Sequence, residues 1–154
     1  MDKNRIITNY KISLDTYALL PAFHIDYQTK AITRDGIVPI SPPPLTIIKE
    51  NCLRYGSSYD GRRESVLYHL NFKQRTPIPI HPSKGIFAFP TMSVKQADCK
   101  WIFFHAINNI TSNEGRTIIE LINGEAIILD ESYHTILKQY DRSGMVRALF
   151  GEMG

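Results

Sequence analysis

Apolar and polar residues alternate with a period of two through much of the first forty positions. Tyr10, Ile12 and Leu14 are interleaved with Lys11, Ser13 and Asp15, and Phe23, Ile25 and Tyr27 with His24 and Asp26. That alternation is the signature of strands with one face on a core. Arg34-Asp35-Gly36 then supplies the positive φ of a hairpin turn ahead of Ile37-Val38-Pro39-Ile40. Residues 1–41 are therefore expected to form an N-terminal β-meander.

The period changes after Ser41-Pro42-Pro43-Pro44. Proline fits the first turn of a helix, where its missing N–H would have no partner. Leu45, Ile48 and Cys52 follow at i, i+3 and i+7, with Gly56 placed as a left-handed stop. Ser57 to Arg63 reads as an exposed loop. Glu64 to Phe72, where Val66, Tyr68 and Leu70 alternate with Leu67, His69 and Asn71, reads as a strand covered on both sides. Pro77 and Pro79 keep the chain extended from Thr76 to Ile80 and favour an edge position, because neither can donate to a ladder. A turn at His81 to Gly85 leads to a short strand from Ile86 to Phe89, and a polar loop covers 90–100.

Trp101 to Ile110 is a dense apolar run, and Thr117–Ile122 and Ala126–Leu129 are joined by Asn123-Gly124, a strong hairpin signal. Tyr133, Ile136, Leu137 and Tyr140 repeat at helical spacing behind Ser132, a suitable cap. The pattern predicts an α+β fold, mainly antiparallel β-sheets with two or three short peripheral helices. It predicts one domain over residues 1–154, whose core is built from 42–154.

Composition narrows the class. A hydrophobic share of 43% and a charged share of 21% are those of an ordinary globular chain. The start, MDKNRIITNYK, lacks the apolar stretch of a signal peptide, and no uncharged run approaches the roughly 18 residues of a membrane span. A cytoplasmic protein without membrane contact is expected. Cys52 and Cys99 lie far apart with no ligand-type spacing around either, so both are expected to be buried thiols, with no metal.

The net charge of +3 is unevenly spread: residues 51–100 hold eight Lys/Arg against three Asp/Glu, whereas residues 101–154 hold four against seven. A basic segment in a nearly balanced chain is an electrostatic footprint for a polyanion. Its richest part is Cys52-Leu-Arg-Tyr-Gly-Ser-Ser-Tyr-Asp-Gly-Arg-Arg63. This stretch matches neither phosphate-cradle fingerprint, and its Gly-Ser-Ser-Tyr-Asp-Gly has the wrong spacing for a nucleophile elbow. The five histidines are scattered singly, and only His105, inside the apolar run, stands apart. No nucleophile, base or metal set appears at usable spacing, so neither an enzyme nor a cofactor is expected.

What the stretch can support is contact with a polyanion. Arginine forked onto a phosphate or inserted into a narrow groove needs a loop that approaches without bulk, and glycine and serine allow that approach. Arg54, Arg62 and Arg63 are the expected reach, with Ser57 and Ser58 as phosphate donors beside Tyr59. Lys73, Arg75, Lys84, Lys95 and Lys100 complete the expected contact set. Replacing Arg62 and Arg63 is expected to weaken binding and to leave stability nearly unchanged.

The same residues carry a resemblance. CLRYGSSYDGRR, then PIPIHPSKGIFAFPTMS, CKWI, an Asn-Gly hairpin and SYHTILKQYDR, in that order from about Pro44 to Arg147, resemble the competence transcription factor (ComK) family of Firmicutes. The resemblance implies a sequence-specific regulator of competence (DNA-uptake) genes that is nucleoid-associated. It also implies recognition of paired A/T-rich boxes in double-stranded DNA, largely through the minor groove, as a dimer or dimer of dimers. Trp101 to Tyr140 is also similar in pattern to the closing half of LytTR-type β-rich DNA-binding domains. Longer family members continue past the last helix with a tail associated with activation and with capture by a proteolytic adaptor. The sequence ends ALFGEMG, short of that tail, so RNA polymerase and the proteolytic adaptor stand as further partners through the resemblance alone. The acidic last third leaves a second expectation, an interaction module that binds no DNA and modulates a longer paralogue by mixed oligomerisation.

Overall fold

The computed structural model describes residues 5–153. Six strands form one antiparallel sheet in the order β3-β2-β1-β6-β5-β4: β1 (Thr16–Pro21), β2 (Thr29–Thr33), β3 (Gly36–Ile40), β4 (Ile78–His81), β5 (Ile86–Pro90) and β6 (Trp101–Phe103). A second sheet, β7 (Ile107–Asn113), β8 (Arg116–Leu121) and β9 (Ala126–Leu129), is a simple meander. Three α-helices complete the α+β fold among the described residues: α1 (Pro44–Arg54), α2 (Tyr59–Leu70) and α3 (Tyr133–Met153). The third is longer than expected, at 21 residues.

The N-terminal meander is present but displaced. Tyr10 to Leu14 is not a strand, although Ile12 is fully buried as its alternation requires. Its backbone partner is a side chain: Asn51 of α1 accepts from Ile12 N (2.9 Å) and donates to Tyr10 O (3.0 Å), pairing with the segment as a neighbouring strand would. Phe23 to Tyr27 is not a strand either; it is the loop between β1 and β2, with Phe23 and Ile25 outside. The hairpin at Arg34-Asp35-Gly36 joins β2 to β3 as predicted, and Gly36 has φ of +137°.

The larger correction falls on residues 57–72. Ser57 to Arg63 is no loop and Glu64 to Phe72 no strand, because Ser58 caps α2 by accepting from Gly61 N (3.0 Å). Gly61 fits the cap for steric reasons, since a Cβ there would lie 3.1 Å from the capping oxygen. The buried stripe of α2 runs Tyr59, Arg62, Val66, so an arginine occupies a position where the helical period calls for an apolar residue. Arg62 is only 8% exposed. Its guanidinium donates to Cys52 O at the end of α1 (3.0 Å), Ser57 O between the helices (3.2 Å) and Pro79 O in β4 (2.8 Å). The carbonyl dipoles at the C-terminal pole of α1 help to hold this charge.

Every residue of β5 is buried, so the large sheet is covered on both faces where β5 runs. Most of the core forms one cluster around Trp101, Phe89, Phe103, Ile47 and Ile48, while Phe87 packs with Val66 of α2 and Val146 of α3. The expected edge position of Thr76 to Ile80 holds: β4 is an edge strand, and Pro79 lies in it. At the opposite edge β3 carries Pro39, and Ile7 covers it by donating to Pro39 O (3.0 Å) and accepting from Ser41 N (2.9 Å). The apolar run 101–110 is split by a 3-10 turn at Phe104–Ala106, where the chain leaves the large sheet for the small one. The Asn123-Gly124 hairpin joins β8 to β9 and Ser132 Oγ caps α3 through Thr135 N (3.1 Å), both as predicted.

Both thiols are buried and free as expected, and burial pushes Cys52 up to about 11, which keeps it protonated and inert. His105 sits in the 3-10 turn with Nε2 on Thr16 O (3.0 Å), while its buried Nδ1 has no partner. Burial outweighs the nearby Thr16 and Leu14 carbonyls and Asp15 and holds its pKa below the ordinary 6.5.

Two outcomes follow for stability. Arg62→Ala leaves three carbonyls without a buried donor and is expected to lower the free energy of unfolding by about 3 kcal/mol or more in denaturant titration. Arg62→Lys recovers only part of this, because one ammonium cannot span three acceptors as a planar fork does. His105 is neutral in the fold and takes a proton more readily when unfolded. Its contribution is therefore complete above pH 6.5 and declines as the pH falls through that value towards the depressed folded pKa. Urea midpoints measured from pH 7.5 to 5 are expected to fall, and less steeply for His105→Gln.

Candidate nucleic-acid interface

The loop between α2 and β4 is anchored along its backbone by side chains from three parts of the chain. Asn71 ends α2 in the left-handed conformation at φ +56°, and Arg75 adopts the same region at +52°. Asparagine enters that region readily, whereas an arginine does so at a cost of about 1 kcal/mol or more. The surroundings hold it there. Four consecutive carbonyls each accept from a side chain: Phe72 O from Thr76 Oγ1 (2.6 Å), Lys73 O from Arg63 (3.0 Å), Gln74 O from Arg142 (3.1 Å) and Arg75 O from Gln139 Nε2 (2.7 Å). Gln139 is itself buried and reaches Pro90 O as well (3.0 Å), so α3 ties this loop to the end of β5. The Arg142 guanidinium also lies 4.8 Å from the centre of the Phe72 ring.

With its carbonyls engaged, the loop holds Lys73 and Arg75 outward, both exposed. They line a cleft of about 370 Å³ together with Arg63 from α2 and Lys95 from the segment after β5. Tyr59 forms part of its wall, mostly buried, with its ring edge towards Trp101 and Lys49 5.6 Å above it. Burial pushes the Tyr59 phenol up to about 12, so it remains a neutral donor. No Asp or Glu lines the cleft. Among the described residues the ion pairs are Arg34–Asp15 and Arg116–Asp130, and neither involves a cation of the cleft. Four cations with no carboxylate between them form a local positive field suited to an anion with several charges.

The structure thus divides the expected contact set. Arg63, Lys73, Arg75 and Lys95 come together, with Tyr59 behind them. Lys100 stands at the same end of the sheet, where its N–H donates to Thr91 Oγ1 (3.1 Å). Arg62 does not belong to the surface, and its expected role as a reaching residue is corrected: it is an internal staple, hidden from sequence because the pattern over α2 reads as a loop to Arg63 followed by a strand. Ser58 uses its hydroxyl as the helix cap, whereas Ser57 stays exposed and its carbonyl serves Arg62. Arg54 is committed elsewhere, on Tyr10 O, Asn51 Oδ1 and Asn9 Oδ1. Lys84 lies beyond the other end of β4, beside His81, whose pKa burial lowers first and the nearby Lys84, Arg62 and Lys11 lower further.

Lys49 was not anticipated. It lies on α1 outside the basic third, and only the fold brings it over Tyr59. Gln139 and Arg142 were not anticipated either, since nothing in a helical repeat marks an amide and a guanidinium as anchors of a loop more than sixty residues away. No group of three or more His, Cys, Asp or Glu side chains among the described residues is placed to hold a metal ion.

Comparison with known proteins points in one direction. The family model described as ComK protein matches residues 7–153. The Competence transcription factor of Bacillus subtilis (strain 168) is 30% identical over 147 residues, an alignment that covers 94% of this chain and 76% of that protein. No solved structure matches the chain.

Gln139→Ala is expected to unlock the cleft without touching its cations. It removes two bonds to backbone and leaves the Pro90 carbonyl buried without a donor, for a loss of about 2 kcal/mol. Hydrogen exchange at residues 72–76 is expected to speed up in this variant, whereas Lys73→Ala and Lys95→Ala leave both exchange and the unfolding midpoint nearly unchanged.

Proposed function

The chain belongs to the ComK family, and on that footing we propose that it is a transcription regulator of competence genes that binds A/T-rich double-stranded DNA through the cleft of Arg63, Lys73, Arg75 and Lys95. Family membership supports the regulator role. The observation that carries the DNA reading is the convergence of four cations, from three separate segments, on a cleft without a carboxylate. Phosphates on a duplex recur closely enough that such a cluster engages several at once and releases their counterions.

The anchored loop suits this task. Its carbonyls each accept from a side-chain donor, which draws off part of the negative potential that would repel a phosphate, and the backbone that carries Lys73 and Arg75 is held in place before the ligand arrives, which reduces the ordering cost of binding. A minor groove narrowed by A/T-rich sequence concentrates negative potential, and arginine is the side chain best suited to enter it. The groove's code separates A·T from G·C pairs and little else, so a single cleft reads too little sequence to select a promoter. Two or more copies on paired boxes supply the missing discrimination, which is the reason for proposing a dimer or a dimer of dimers on DNA.

No helix of the described residues is long and apolar enough to cross a membrane. A cytoplasmic location beside the nucleoid follows from the proposed role.

Titrating a labelled A/T-boxed duplex and a G/C-rich duplex of equal length at several salt concentrations tests the reading. The A/T duplex is expected to bind more tightly, with log Kd rising against log salt at about 0.9 per phosphate engaged. Lys73→Ala combined with Lys95→Ala is expected to reduce that slope by about 2 and to leave the unfolding midpoint in place. A small A/T-specific minor-groove ligand is expected to compete. Equal affinity for both duplexes, or a slope near zero, overturns the proposal.

A further inference from the structure

Outside the cleft, the most unusual part of the surface is the loop between β1 and β2. Phe23 is 79% exposed and Ile25 is 96% exposed, although apolar side chains on a slack loop would fold back against neighbouring apolar surface. This loop is not slack. Ala22 N donates to Gln28 O (2.9 Å), and Gln28 N is shared between Ile40 O (3.2 Å) and Ser41 O (3.1 Å), closing its base. Across it the His24 ring stacks on Tyr27 with 4.2 Å between centres and 13° between planes, and His24 Nδ1 accepts from Asp26 N (3.0 Å). The polar and aromatic residues build a frame, and the two apolar side chains project from it.

Sheet topology decides at which end of the molecule this loop lies. β1 runs antiparallel to β6, β6 to β5 and β5 to β4, with Leu19 opposite Trp101, Pro90 opposite Trp101 and Ile78 opposite Ala88. The end of β1, the end of β5 and the start of β4 therefore lie at one end of the large sheet. Residues 22–28 share that end with the segment carrying Lys95 and Lys100 and with the anchored loop carrying Lys73 and Arg75. At a strand spacing of about 4.8 Å, β1 is roughly 10 Å from β5 and roughly 14 Å from β4. The exposed Lys30 sits near the start of β2, and the carboxylates in these loops are Asp26 and Asp98. An apolar tip beside an excess of cations is complementary to a duplex, which offers phosphates outside and stacked bases within.

We propose that Phe23 and Ile25 form an apolar wedge that enters a base step of the duplex held by the cationic cleft, parting the two bases and bending the helix. The inference rests on the DNA-binding reading given above. Phosphate contacts at the cleft hold the duplex in register, and the wedge then moves two exposed apolar side chains out of water into the opened step. Pyrimidine–purine steps, which unstack most easily and recur in A/T-rich sequence, are the preferred entry point.

The test uses the full chain and an A/T-boxed duplex of about 30 base pairs, carrying 2-aminopurine at a TA step and a donor–acceptor dye pair at its ends. With the wild-type protein, 2-aminopurine emission is expected to rise several-fold and the dyes to approach. With Phe23→Ser/Ile25→Ser both signals are expected to vanish and affinity to fall about tenfold, while the salt slope stays unchanged because no cation has been removed. The thermal midpoint of this variant is expected to match the wild type, since neither side chain is buried. If the wild type binds with neither signal, or the variant retains both, the wedge is overturned and the DNA reading survives. Failure of the wild type to bind at low salt overturns the DNA reading and the wedge with it. A shift in the sedimentation of the free protein on substitution assigns the tip to contact between copies and likewise overturns the wedge.

Discussion

A single buried guanidinium sets the geometry of the basic surface. Arg62 gathers carbonyls from α1, from the link between the helices and from β4, and so fixes how α2 lies against the sheet. The next residue along the helix points about 100° away. Arg63 therefore emerges over the loop at residues 72–76, where it both donates to Lys73 O and lines the cleft. Two adjacent arginines of one motif carry out opposite duties, one holding the frame and the other facing outward, and the second depends on the first. The cost of burying a charge is offset by backbone dipoles without a carboxylate partner, which leaves the positive character of the neighbouring surface uncancelled.

The cleft is assembled from parts that would be poor alone. Its cations come from a helix, a seven-residue loop and the segment after β5, and the third helix ties the loop to the end of β5 through Gln139 and holds it again through Arg142. A left-handed arginine in the middle of this arrangement would relax if its surroundings allowed it. That it does not is explained by the row of side-chain donors on the carbonyls of residues 72–75. Positioning is thus supplied by groups buried or half-buried behind the loop, and charge by groups in front.

Much of the fold was legible because hydrophobic period and turn chemistry agree in most places. Asn123-Gly124, the proline-led α1, the edge character of Thr76 to Ile80 and the cap at Ser132 were each specified locally. The failures share a cause, which is that a side chain took over a task sequence patterns assign to something else. Asn51 replaced a strand as the partner of Tyr10 and Ile12; Arg62 stood in the apolar stripe of α2; and Phe23 and Ile25, spaced as inward-facing residues, face water. The candidate site was half legible. Clustered charge marked the third of the chain that supplies the cations of the cleft, yet which of them converge was decided by contacts between residues far apart in sequence, and Lys49 and Gln139 carry no local mark at all.

The prolines at the two margins of the large sheet have a consequence for how this protein tolerates crowding. A sheet margin with free N–H groups is a template on which further chains can add, and ribbons grow from it. Here Pro79 lacks that group on one side, and on the other Pro39 and the covering Ile7 leave little to extend. Neither margin of the large sheet then offers a ready edge for another copy of the chain to extend, however closely copies are packed.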